Sequence, residues 1–173
     1  MNEETPIFDA AMRVDNIPSK GRRLKIELDK NQRLTLAKEL KLDKLNSFLA
    51  KLLVMPIRGG LQVNAELGAM VEQQCVVSFK PVEQVIDEQI ERIFLMGEIP
   101  KNAGDGSESF VDMEGDELPD YYTGSEIDFS DLLIETLALA INPFPRLKGE
   151  KLDIEQDETQ FSPFAALTSL KRD

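Results

Sequence analysis

LQVNAELGAMVEQQCVVSF, residues 61–79, decides how this chain folds. Leu61, Val63, Ala65, Leu67, Ala69, Val71, Cys75, Val77 and Phe79 share odd parity, interrupted by Gln73, while Gln62, Asn64, Glu66, Glu72 and Gln74 fill even positions. Successive side chains of a strand point to opposite faces, so this pattern predicts one long ribbon, or two strands joined at Gly68. One face of the resulting sheet is dry and the other wet, an arrangement typical of antiparallel sheets.

Upstream, RRLKIELD (Arg22 to Asp29) alternates Leu24, Ile26 and Leu28 against Arg23, Lys25 and Glu27, predicting an early strand with a basic outer face. Asp29 or Asn31 then caps a helix running to about Leu42, with Leu34, Ala37 and Leu40 along one side. Residues 47–57, ending in MPI, have strand-like content without clean alternation, and both strand and helix remain open. Pro56 argues for a strand end before the turn at Gly59-Gly60. Beyond Pro81, Val82, Ile86, Ile90 and Phe94 fit a strand or a helix at four-residue spacing, with Val and Ile favouring strand.

The stretch from Asn102 to Ser125 has no basic residue and is rich in Gly, Ser, Asp and Glu; it cannot bury enough apolar surface to offset its ordering entropy. Asp128 is placed as the N-cap of FSDLLIETLALAI, which is apolar almost all round, predicting a core helix that Asn142-Pro143 stops. Ser162 and Pro163 suit the start of a short terminal helix presenting Phe164, Leu167 and Leu170 on one side. The expected fold class is α+β: a twisted, mainly antiparallel sheet packed by a buried helix in the C-terminal half and a short helix in the N-terminal half. A single domain over 1–173 is expected, with an ordered core of about 7–101 and 124–147. The rest is expected to be a mobile acidic loop at 102–123, a linker at 148–160 and the terminal helix at 161–171.

Composition removes several function classes. The chain holds no histidine and one cysteine, which excludes Ser-His and Cys-His nucleophile pairs and a Cys/His zinc cage. The leading MNEETPIF has two acids and no basic or apolar leader region, and no stretch approaches membrane-helix length, so a soluble cytoplasmic protein is expected. Net charge is −12, but it is uneven. Eleven bases face four acids between Ser19 and Arg58, whereas residues 59–173 hold eight bases and 24 acids. Such asymmetry points to a charged macromolecular partner, although the same lysines also suit the solvated faces of a helix and two strands.

Three blocks carry a resemblance. Gln73-Gln74-Cys75-Val76-Val77-Ser78-Phe79-Lys80-Pro81-Val82 resembles the strand motif of the YceD family in its alphaproteobacterial form. The stretch from Gly124 through Ile127-Asp128-Phe129 to Asn142-Pro143-Phe144-Pro145-Arg146 is similar to that family's helix start and proline-rich helix exit, and Ser162 to Lys171 resembles its terminal motif. The resemblance implies a role in synthesis, processing or stability of 23S ribosomal RNA, with members often encoded beside a small basic protein of the large subunit. It brings no catalytic residue, and Gln73, Cys75, Pro81, Ile127, Asp128 and Pro143 enter as structural motif positions. Many relatives carry a second cysteine three positions after the first, where this chain has Ser78, so Cys75 reads as a small buried hydrophobe.

Two binding readings follow. In one, Arg22, Arg23 and Lys25 on the wet side of the early strand, with Arg33, meet phosphates of ribosomal RNA. The lack of Trp and of aromatics among these bases argues against sequence-specific base stacking. In the other, the acidic loop with Tyr121 and Tyr122 holds a basic ribosomal protein or assembly factor. Phe164, Leu167 and Leu170 either pack back on the domain or dock in a partner groove. A carboxylate hydrolase built on Glu135 is a third reading, against which a rim position explains a single acid. No cofactor, metal, membrane contact or small-molecule substrate is expected.

Overall fold

The computed structural model describes residues 6–98 and 119–149. Its strands are β1 (Ala11–Arg13), β2 (Arg22–Glu27), β3 (Lys44–Ile57), β4 (Gly60–Gln74), β5 (Pro81–Met96), β6 (Asp120–Tyr122) and β7 (Glu126–Asp128). Helix α1 (Lys30–Glu39) follows β2, and α2 (Ser130–Ala140) follows β7. The main sheet runs β2-β3-β4-β5-β6, antiparallel except for the short parallel pairing of β5 with β6, and β1 pairs with β7 in a separate two-stranded sheet. The class is α+β.

β4 is one continuous strand through Gly68, and its odd residues from Leu61 to Val71 are all buried. The ribbon stops at Gln74, earlier than the parity of Val77 and Phe79 predicts. Residues 75–80 form the loop to β5, closed by Cys75 N–H donating to the Lys80 carbonyl and Phe79 N–H donating to the Cys75 carbonyl. Only Cys75 of that trio is fully buried; Phe79 is 75% exposed and takes a left-handed φ of 59°. The parity continued because the loop happens to place apolar residues two apart, not because a ladder holds them.

Both undecided segments are strands. In β3 a bulge between Leu45 and Ser47 shifts the phase, after which Phe48, Ala50, Leu52 and Val54 face inward. In β5, Ile86, Ile90 and Phe94 are buried, while Glu88 and Arg92, inward by parity, lie at the sheet's rim. The four-residue spacing is therefore a strand whose alternate inward positions reach water.

The dry face is covered by α1 through Leu36 and Ala37, by Phe8, Ala10 and Met12 of the N-terminal segment, by Ile127 and Phe129, and by α2 through Leu133 and Leu137. Asp29 caps α1 in a reciprocal box with Gln32, as its position predicts. The helix ends at Glu39 because Lys41 adopts φ 56° and the Leu42 N–H returns to the Ala37 carbonyl, a Schellman turn without its customary glycine. Leu34, placed by sequence on the inner side, is exposed, since the stripe that packs is Leu36 and Ala37.

Two expectations at α2 also change. Asp128 is not the N-cap: it is committed to the β1–β7 ladder opposite Ala11, Phe129 holds the cap position, and the Asp128 carboxylate accepts from the Ser130 N–H. Nor is α2 buried all round; Leu133 and Leu137 are enclosed, whereas Leu139 is 78% exposed. The helix lies over one rim of the sheet, so only its inner stripe finds a partner. Tyr121 and Tyr122, assigned by composition to the acidic loop, lie in β6, and that loop's residues 102–118, the tail of the linker and the terminal helix fall outside the described residues.

Ile57 and Gly60 close the β3–β4 hairpin around Arg58-Gly59, with Gly59 at φ 84°. A Cβ on Gly60 would collide with the Phe94 carbonyl oxygen of β5, whereas one on Gly59 would meet open space. Urea denaturation should therefore show Gly60→Ala destabilised by about 3 kcal/mol or more through forced strand separation, and Gly59→Ala by about 1 kcal/mol from its left-handed backbone.

Candidate functional site

Residues paired across an antiparallel ladder share a face, so the registers place the wet side of the sheet residue by residue. One row reads Arg23, Leu53, Asn64 and Glu91; the next reads Lys25, Lys51, Glu66 and Gln89; a third reads Glu27, Leu49, Gly68 and Asp87. Among the described residues no element covers these rows. The first two rows line an open hollow of about 820 Å3 whose walls include Arg23, Lys25, Lys51, Glu66, Gln89 and Glu91. Gly68 deepens an adjoining hollow of about 290 Å3, because it has no side chain over the strand.

Charge is sorted across this face. Arg23, Lys25 and Lys51 occupy the β2–β3 side, and Glu66, Asp87 and Glu91 the β4–β5 side. Lys25 contacts Glu27 at 3.0 Å, an exposed pair of little energetic weight that leaves the ammonium accessible. Glu91 accepts from the Gln62 amide at 2.7 Å, which fixes it on the acidic side. At the far end Lys44 meets Glu72 at 2.6 Å; that hydrogen bond and the carboxylate's charge raise the lysine pKa. The end near the β3–β4 hairpin is apolar instead, with Ile57, Ile93 and Tyr121 partly exposed on the same side.

Of the residues selected from sequence, Arg23 and Lys25 are together on this face. Arg22 is not; it points to the opposite side, where its guanidinium donates to the Arg13 carbonyl at 2.6 Å. A strand has only two sides, and Arg22 shares parity with Leu24 and Ile26. Arg33 is half-buried on α1, beyond the dry face, with its guanidinium on the Leu28 carbonyl at 3.4 Å. Tyr122 packs against the core while Tyr121 lies at the apolar end of the wet face. Phe164, Leu167 and Leu170 lie outside the described residues. Glu135 is exposed on α2, a rim position and not a desolvated one. Lys51 was missed, although it is the lone charge in an apolar run, which is the signal of a wet-face position.

The motif residues gather at the opposite end. Gln73 donates to the Asn142 carbonyl at 3.1 Å, and Gln84 both donates to the Ala140 carbonyl at 2.8 Å and accepts from the Asn142 N–H at 2.9 Å. Two glutamines thus satisfy the polar backbone where α2 ends. Gln73, the break in odd parity, faces inward because it clamps this exit. Val76 N–H donates to the Pro145 carbonyl, so the Cys75 loop and the proline-rich exit brace each other around Pro143. Pro81 opens β5 opposite Gln74, where its missing N–H is tolerated, and Ile127 is buried beside Met12.

Cys75 is fully enclosed. Its leading influence is the Ser78 hydroxyl, which pulls the thiol pKa down against the opposing effect of burial. Among the described residues no group of three or more acids and cysteines is arranged to hold a metal ion, and no helix is long and apolar enough to cross a membrane.

The model of the large ribosomal RNA subunit accumulation protein YceD matches residues 63–171. This chain belongs to the YceD family. The YceD match begins within β4 and takes in β5, β6, β7 and α2, together with every motif position from Gln73 onward, whereas Arg23, Lys25 and Lys51 precede it. The family's description ties the chain to accumulation of large-subunit ribosomal RNA. No curated protein and no solved structure matches it.

Gln84→Ala should cost about 2 kcal/mol in urea denaturation, roughly 1 kcal/mol for each of its two backbone bonds, with Gln62→Ala near neutral as the exposed control. Ellman's reagent should modify Cys75 about a hundredfold more slowly in the native protein than in denaturant, since a buried thiol must wait for opening.

Proposed function

We propose that this chain supports accumulation of 23S ribosomal RNA in the cytoplasm as a non-enzymatic binding factor in large-subunit assembly, contacting RNA phosphates through Arg23, Lys25 and Lys51. The observation that carries this reading is the position of those three bases. They stand next to one another on two adjacent strands, on a face that no described element covers, beside a hollow wide enough for a backbone segment. Phosphate contacts of this kind position a protein on RNA and carry little sequence information. The acidic side, at Glu66, Asp87 and Glu91, repels phosphate and limits contact to one edge, which suits a factor that must leave its RNA again.

An adaptor that binds a basic protein and no RNA is the second reading, and the four acids of β5 favour it. The two are separated by titrating a 23S RNA fragment at several salt concentrations. The RNA reading expects log affinity to fall against log salt with a slope of about −2 to −3, for roughly three phosphates. The combined substitution Arg23→Glu, Lys25→Glu and Lys51→Glu should remove binding without changing the urea midpoint, because all three side chains are exposed. Unchanged RNA binding in that variant would refute the reading.

A further inference from the structure

Among the described residues, the second edge of the main sheet is covered only in part. β5 spans Pro81–Met96, yet on its outer side it pairs with β6 only at Phe94, Leu95 and Met96. Residues 82–93 therefore present their outward N–H and C=O groups without a described strand beside them. Backbone groups of alternate residues point outward from an antiparallel pair, so about six residues of this stretch offer both a donor and an acceptor. Such an edge is a template for another strand.

Three observations say what fits there. First, a groove of about 270 Å3 runs between this edge and α2, with Glu88, Ile90 and Arg92 on the strand side and Thr136, Leu139 and Ala140 on the helix side. Second, Leu139 is 78% exposed on that groove, and Val85 on the strand's other face is 72% exposed, so both sides of an added strand would find apolar contact. Third, β5 carries Glu83, Asp87, Glu88 and Glu91 against one base, Arg92, and Glu135 of α2 is exposed nearby. This combination rejects a phosphate backbone and complements a basic polypeptide.

We propose that the outer edge of β5 between Val82 and Ile93 is a strand-addition site for an extended basic segment of a partner protein, with alternate apolar side chains entering the groove against Leu139 and Ala140. Main-chain hydrogen bonds along the edge supply affinity, and the groove with its acidic rim selects the alternation of basic and apolar side chains. The site is distinct from Arg23, Lys25 and Lys51, which lie across the sheet on β2 and β3, so one chain holds RNA at one edge and a basic protein at the other.

The test uses the full chain and a fluorescein-labelled peptide of about eight residues alternating Lys and Val, the length of an ordinary strand. Anisotropy should report saturable binding. Methylation of alternate peptide backbone nitrogens, Leu139→Arg in the protein, and Glu88→Lys with Glu91→Lys should each weaken it about tenfold or more. A peptide alternating Glu and Val should not bind, and hydrogen exchange should slow at amides of 82–93 when the Lys-Val peptide is bound. Absence of binding, or binding indifferent to backbone methylation and to Leu139→Arg, would overturn the proposal, as would a dimer of this chain that Leu139→Arg dissociates. Binding of 23S RNA is expected to survive Leu139→Arg, and peptide binding to survive reversal of Arg23, Lys25 and Lys51, so failure of either reading leaves the other measurable.

Discussion

Everything in this fold depends on which way the side chains of β4 point. It is paired along its length on both sides, with β3 and β5, so its register fixes theirs. Burying Leu61, Val63, Leu67 and Val71 contributes about 1.5–3 kcal/mol each. A slip by one residue would turn all four to water and bring Gln62, Asn64 and Glu66 inward, a loss on the order of 10 kcal/mol, comparable to the whole stability of an ordinary domain. No other register competes.

One consequence is a sheet with two unlike sides. The inner side is closed by α1, the β1–β7 pair and the inner stripe of α2, and two of its inward polar residues, Gln73 and Gln84, hold the end of α2. The outer side mixes charge with apolar side chains such as Leu49, Leu53 and Met55, and no described element covers it. Because β2 and β3 come from the basic part of the chain and β5 from the acidic part, antiparallel order converts a charge asymmetry along the sequence into one across a surface. Electrostatic sorting of this kind governs orientation and partner choice more than affinity.

The alternation of residues 61–71 was legible because β4 is flanked on both sides and dry on one face, the condition under which period two is cleanest. β3 hid the same pattern: its bulge breaks the phase, and Leu49, Leu53 and Met55 put apolar side chains on the wet side as well. β5 imitated a helix because edge positions Glu88 and Arg92 reach solvent from the inner side. β1 and β7 had no signal, since three residues carry no periodicity and their pairing joins positions more than a hundred residues apart. Likewise the end of α1 was read too late because Lys41 occupies a turn position where glycine is the usual marker. Of the candidate site, Arg23 and Lys25 could be read from parity, and parity rightly applied would have set Arg22 aside. Lys51 and the hollow needed the register of three strands, which no local pattern contains.

Membership of the YceD family supplies the cellular context, accumulation of large-subunit ribosomal RNA, and the geometry supplies a sheet face that no described element covers, basic on β2 and β3 and acidic on β4 and β5. The most direct measurement is ultraviolet crosslinking of the protein to RNA in growing cells, followed by mapping of the adducts to peptide and nucleotide. The account predicts adducts to 23S RNA within β2 and β3, around Arg23, Lys25 and Lys51. Adducts confined to α1 or α2, or recovery of the protein with no ribosomal RNA attached, would contradict it.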